Sequence, residues 1–277
     1  MAAAITPALT PAALAHPAFD PLRPWLAGIS SLPECSVLNT LAAGGSSPPS
    51  NAAGIPVQFR NSPPGAAEPY EQRVFETGVV QTRAGNLHDL FNALAWMAFP
   101  QTKAALNARH VERLAAEGTR RGPLRDLLTL FDEGGVIVAC ERSACAGIEA
   151  SVREFRWQAL FWECRAFLLS NVRFVLTGHN AYEKALAPYP GITCKALFVP
   201  IPEDLLAAPM ADLVAWLDLR AAEWVRALPV DARPRQMAPL PVFGYPGWLP
   251  DSGNAGFYGD MRWFRVGRHL PDPAPKA

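Results

Sequence analysis

Four groups of residues in this 277-residue chain have types and spacings that could do chemistry. His88 and Asn92 lie one helical turn apart, on a face shared with Trp96. A solvent face would carry Lys, Glu and Gln. This face carries His, Asn and aromatics, so it either packs as a core histidine held by Asn92 or forms a polar pocket wall. Lys103, Asn107 and His110, spaced by four and three, fall together on a second helical face. There Lys103 could hold a substrate anion and His110 could move a proton, or the three could be a solvated stripe. His179 follows Gly178 at a strand-to-helix junction, with Glu183 one turn on. Histidine changes charge near neutral pH and a carboxylate can fix its tautomer, so His179 and Glu183 read as an acid/base pair or as a capping pair. Asp251, Asn254 and Asp260, in an irregular aromatic tail, are oxygen donors of the kind a hard cation takes, at a spacing that matches no standard loop.

The elements that must position these groups follow from periodicity and breakers. Asn86 caps a helix that Pro100 stops, with Leu87, Leu90, Phe91 and Leu94 on one face, and a second helix spans about Thr102 to Ala116. Ile55–Arg60 reads as a short strand, and Arg73–Arg83 as a strand or the approach to the next helix. Leu128–Phe131, Asp132-Glu133-Gly134-Gly135 and Val136–Cys140 read as a β-hairpin. Ser151–Leu169 reads as a helix so rich in Phe, Trp and Leu that most of it is buried. Strands are expected at Arg173–Thr177 and Ile192–Val199, and a long helix at Pro202–Leu228, broken at Pro209. The class is α+β: a single compact domain of several helices with short strands and a β-hairpin. Its expected divisions are a Pro-rich arm and flexible loop (1–54), the α+β core (55–232), and an irregular aromatic, Gly- and Pro-rich extension packed on that core (233–277).

Composition narrows the function. Lys plus Arg and Asp plus Glu each number 25, so the net charge is zero and general nucleic-acid binding is not expected. Five cysteines, without a Cys-x-x-Cys pair, make neither a disulfide framework nor a zinc knuckle. No run reaches the ~20 apolar residues of a membrane span. The N-terminal stretch lacks a basic start, and Pro7, Pro11 and Pro17 interrupt it. These features predict a soluble cytoplasmic protein with reduced thiols. Scarce Lys beside abundant Arg, Ala and Pro suggests a GC-rich bacterial gene. No phosphate-cradling Gly loop, nucleophile elbow or His-Glu-x-x-His motif occurs. His88-Asp89 has the adjacent His-Asp of the HD phosphohydrolases, but the only upstream histidine is His16, in the Pro-rich arm.

Several blocks together carry a family resemblance. They are Asn86-Leu87-His88-Asp89-Leu90-Phe91-Asn92-Ala93-Leu94 running into Trp96, Phe99-Pro100, Lys103 and Asn107; Leu130 to Val136; Gly178-His179 with Glu183-Lys184; and Gly247-Trp248 with Phe257-Tyr258-Gly259-Asp260 and Phe264-Arg265. The sequence resembles the bacterial family known as domain of unknown function 3025 over most of the chain after the arm. Leu87 and Gly259 depart from the family pattern, which has Trp and Asp there. The resemblance implies no activity.

Two readings stand. One is a small hydrolase-like enzyme, metal-assisted by a divalent ion, with a cleft for a small-molecule ligand. His179 and Glu183 would be catalytic, Lys103 and Asn92 would bind substrate, and His88 would be the metal ligand. The other is a non-catalytic protein-binding or structural module whose polar residues are structural. Distance separates them: a shared small site needs the ring nitrogens of His88 and His179 within about 8 Å. Reaction, metal identity and oligomeric state are left open.

Overall fold

The computed structural model describes residues 9–27, 29, 31–61, 69–118 and 121–267. Most of the loop expected at 61–69, the first eight residues of the arm and the last ten of the extension lie outside them. The elements run α1 (Pro11–Leu14), α2 (Arg23–Leu26), α3 (Cys35–Gly44), β1 (Gln58–Arg60), α4 (Tyr70–Thr77), β2 (Val79–Gln81), α5 (Leu87–Ala98), α6 (Pro100–Glu117), α7 (Pro123–Gly134) and β3 (Gly135–Glu141). They continue with α8 (Cys145–Arg153), α9 (Arg165–Asn171), β4 (Val172–Leu176), α10 (His179–Ala185), β5 (Cys194–Ile201), α11 (Glu203–Ala207), α12 (Met210–Ala227) and β6 (Ala238–Leu240). This is one α+β domain with two small sheets and irregular ends.

The main sheet has the order β4-β3-β5-β6. β3 is antiparallel to β4, parallel to β5, and buried along almost its whole length (Val136 to Cys140). A central strand covered on both faces needs such a continuous apolar run. The antiparallel β3–β4 pair has a functional consequence: the residues that enter β3 and those that leave β4 meet at one edge of the sheet. Glu133 and His179 are those residues.

Three local readings are corrected. The hairpin expected at 128–140 does not form, because residues 123–134 are helical. Pro123 sits at the first helical position and Leu124, Leu127, Leu128 and Phe131 bury one stripe, so the two glycines end a helix instead of turning a hairpin. Arg73–Arg83 splits into the end of α4, a left-handed Gly78 and β2, which pairs in parallel with β1. Ser151–Leu169 is not one buried helix. It breaks at Phe155, whose φ is 57°, passes through a π-helical turn at Ala159–Glu163 and resumes as α9, where Phe167 and Leu169 are exposed.

The arm docks on the body through Phe19. Its ring stacks on Phe91 of α5 (5.9 Å between centroids) and on Tyr182 of α10 (6.0 Å), while Phe91 and Tyr182 stack on each other (6.0 Å). Offset stacking of large buried rings fixes the spacing of the helices that carry them. His88 lies three residues before Phe91 and His179 three before Tyr182, so this triangle sets the distance between the two imidazoles. The tail packs against the sheet by ring contacts such as Phe174–Tyr245 (4.7 Å), and the Tyr245 hydroxyl donates to the Val172 carbonyl at 2.7 Å. None of the five cysteines is in a disulfide. No helix among the described residues is long and apolar enough to cross a membrane.

Candidate functional site

α5 brings in His88. Asn86 caps that helix, its side chain accepting from the Asp89 N–H at 3.0 Å, so the first helical turn projects His88 from a fixed end. Asp89, the next residue, also lines the cleft and receives Arg83 through Nε and Nη2, each at 2.8 Å. Burial opposes ionisation of Asp89, but the Arg83 hydrogen bonds outweigh it and hold the carboxyl below its usual range.

α10 brings in His179. The junction before it depends on Gly178, and the reason is space, since its φ is an ordinary −72°. A Cβ there would stand 2.4 Å from the Gly135 nitrogen and 2.5 Å from the Glu133 carbonyl oxygen. The backbone N–H groups of Thr177 and Gly178 both donate to the Gly135 carbonyl, at 3.1 and 3.0 Å. This contact presses the end of α7 against the start of α10.

The result is a three-sided cluster. The Nε2 atoms of His88 and His179 are 3.1 Å apart, and His88 Nε2 is 3.8 Å from Glu133 Oε2. Ligand atoms of His88, Glu133 and His179 all lie within 4.8 Å of one another. Two donors each ~2.1 Å from a zinc-like ion at a tetrahedral angle would be about 3.4 Å apart, so the spacing suits one small divalent ion. A carboxylate stands behind each ring: Asp89 Oδ1 is 3.3 Å from His88 Nδ1, and Asp132 Oδ2 is 3.7 Å from His179 Nδ1. Histidine metal ligands commonly turn the far N–H to a carboxylate; here the Asp89 contact is within hydrogen-bond reach and the Asp132 contact is an ion-pair distance. The Asp132 carboxylate is itself held by the Lys103 ammonium at 2.6 Å. Burial opposes its ionisation, but Lys103 and His179 keep it below the usual carboxylate range.

The two rings differ in protonation, and a metal ion would have to displace the proton that Glu133 favours on His88. Burial pulls His179 down to about 4, leaving a neutral ring with a lone pair to give. His88 is raised, chiefly by Glu133, and Glu133 is lowered in return by His88.

The cluster opens into a cleft of about 530 Å³ whose wall includes Tyr70, Glu71, Asn92, His110, Arg121 and Arg125. Glu71 accepts a hydrogen bond from Asn107 at 2.7 Å, and burial raises its pKa to about 7. A carboxyl that holds or releases a proton at neutral pH, inside a cleft, is equipped for acid/base work.

Residues 57–268 match the family described as "Protein of unknown function (DUF3025)". The chain belongs to this family. The DUF3025 match covers every residue of the cleft named above and leaves out the arm that supplies Phe19. No curated protein and no solved structure matches the chain.

Among the residues singled out from the sequence, His88 and His179 meet directly and Asn92 lines the same cleft. Lys103 lies behind the wall, 5% exposed, with its ammonium committed to Asp132 and to Asn92 Oδ1 (2.8 Å). Asn107 and His110 are buried beside it on the same face of α6. Glu183 does not line the cleft, and the carboxylate facing His179 is Asp132, from another element. In the tail, Asp260 pairs with Arg262 at 2.7 Å and Asn254 accepts from the Gly256 N–H. Sequence reasoning missed Glu71, Asp132 and Glu133 as site residues. The signal for the last two was the Leu124, Leu127, Leu128, Phe131 period, which places Asp132 and Glu133 in the last turn of a helix.

Proposed function

We propose that this protein is a metal-assisted hydrolase in which His88, Glu133 and His179 hold one divalent transition-metal ion. The observation that carries the reading is the meeting of two imidazole Nε2 atoms and a carboxylate at ligand spacing, each ring backed by a further carboxylate. These three residues would hold the ion with a position left for water, and the ion would supply the Lewis acidity that lowers the pKa of such a water toward 7. The water oxygen bonds to an electrophilic carbon or phosphorus, and its proton passes to a carboxylate of the cleft. The bond to the leaving oxygen or nitrogen then breaks, and the proton returns to the leaving atom. Glu71, poised near neutral pH, is the group we assign to this transfer. Asn92 and Tyr70, hydrogen-bonded to each other at 3.1 Å, line the substrate side. Lys103 keeps Asp132 ionised behind His179. The same donor set serves iron(II) oxygenases; a second, proton-carrying carboxyl in the cleft favours hydrolysis.

The test is turnover of activated esters (p-nitrophenyl phosphate, bis(p-nitrophenyl) phosphate and p-nitrophenyl acetate) by protein loaded with manganese or zinc. We expect hydrolysis of at least one ester that needs the metal and falls at least ~100-fold in His88→Ala. Hydrolysis that His88→Ala leaves unchanged, or none with any ester and metal, would contradict the assignment.

A further inference from the structure

The far end of the cleft is built for something other than a metal ion. Along α7, Arg125, Thr129 and Glu133 succeed one another at one-turn intervals on one face. Eight residues at 1.5 Å per residue separate Arg125 from Glu133 by about 12 Å along the helix. Beside α7, α6 carries His110 seven residues beyond Lys103. The cations near the metal cluster are already committed, Arg83 to Asp89 and Lys103 to Asp132. The far end differs. Arg121 lies 3.5 Å from Asp126 in a half-exposed pair, its one carboxylate among the described residues, and donates to the Thr129 hydroxyl. Arg125 makes one long bond, 3.4 Å to the Gly118 carbonyl, and its buried Nε has no acceptor among the described residues. His110 is 3% exposed and lines the cleft, and its Nδ1 also has no partner among the described residues. Buried polar atoms are nearly always hydrogen-bonded, so two unmatched nitrogens on one wall point to an absent acceptor.

We propose that Arg121, Arg125 and His110 form a phosphate subsite that grips a phosphate group of a small-molecule substrate, about two helical turns from the metal cluster. The assignment of a handle, as opposed to the group attacked, rests on the hydrolase reading above. Donors converging from two helices and the loop before α7 suit a tetrahedral dianion that accepts from several directions. A planar carboxylate would be matched by one guanidinium fork. Of the acids nearby, Asp132 is paired with Lys103, Asp126 holds Arg121 only at 3.5 Å, and Glu71, raised by burial to about 7, carries a proton part of the time at neutral pH.

The experiment is calorimetric titration of the full chain, stripped of metal by chelation, with inorganic phosphate and separately with succinate. A parallel titration uses Mn²⁺. Saturable 1:1 phosphate binding is expected, weakened at least about tenfold by Arg121→Gln with Arg125→Gln. That pair should leave Mn²⁺ binding unchanged. His88→Ala should do the reverse, losing Mn²⁺ and keeping phosphate. If the glutamine pair lowers the melting temperature, Arg121→Lys with Arg125→Lys replaces it, with a loss of affinity again expected because the fork geometry is gone. No phosphate binding by the parent, binding indifferent to both pairs, binding lost with the metal in His88→Ala, or tighter binding of succinate would each overturn the subsite. Mn²⁺ binding that survives His88→Ala would overturn the metal reading and leave the phosphate subsite standing.

Discussion

Two hollows among the described residues differ in how their buried polar groups are met. The larger, about 700 Å³, lies between the arm, α3, α5, α6 and α12 and is lined by Trp25, Leu41, Met97, Val214 and Leu219. Its buried carboxylate, Asp218, is satisfied: it accepts from the Gln101 and Thr102 N–H groups at 2.9 and 2.8 Å, while its backbone carbonyl takes the Thr102 hydroxyl. Burial still raises it to about 6, but each of its carboxylate oxygens has a donor from the start of α6. The histidine cleft is smaller and unbalanced. His110 Nδ1 and Arg125 Nε are buried without a hydrogen-bond partner among the described residues. Volume alone would choose the hollow without the histidines. The carboxylate of that hollow is met by its own backbone donors, and the nitrogens of the histidine cleft are not.

Substituting half-buried Asp132 and buried Asp218 should separate these roles most sharply. Asp132→Asn removes the counter-ion of buried Lys103 and the group behind His179. It should destabilise by about 3–5 kcal/mol and weaken metal binding about 10- to 100-fold. Asp218→Asn leaves one capping N–H unmatched. It should cost about 1–3 kcal/mol in a denaturant titration and leave metal affinity where it was. If Asp218→Asn also lost the metal, the contrast between the hollows would collapse.

A smaller effect is expected at Glu71. Its carboxyl is raised from 4.5 to about 7, so its contribution to stability is fully present below pH 4.5 and is lost as pH rises through 7. Glu71→Gln keeps an acceptor for Asn107 and removes this loss. The variant should match the parent at pH 4 and exceed it by about 1–2 kcal/mol at pH 8, with the partial exposure of the side chain allowed for. Thermal unfolding of both proteins across that range checks this. A parent that gains stability over the variant above pH 7 would show that Glu71 is ionised and paired.

Much of this geometry was legible in the sequence because it is local. Helical spacing placed His88 with Asn92, and Lys103 with Asn107 and His110, on shared faces, and a glycine before His179 marked a tight junction. What joins them is not local. The carboxylate that meets His179 comes from α7, 47 residues upstream, through an antiparallel strand pair that spacing does not reveal. The pair Gly134-Gly135 carries turn chemistry equally suited to a hairpin tip or a helix end, and only the buried leucine stripe of α7 decides between them. Lys103 looked available for a substrate anion because its neighbour Asp132 was assigned to a turn. The Phe19–Phe91–Tyr182 triangle joins residues from three distant stretches, and no periodicity announces it.

The central claim is that His88, Glu133 and His179 hold one metal ion. Titrating metal-stripped protein with Co²⁺, followed by visible absorption and calorimetry, tests it directly. The account predicts one Co²⁺ per chain, with the visible bands of a site of low coordination number and mixed nitrogen and oxygen ligands. The bands should disappear in His179→Ala and in Glu133→Gln while both variants remain folded. Absence of saturable Co²⁺ binding, or bands that persist unchanged in both variants, would contradict it.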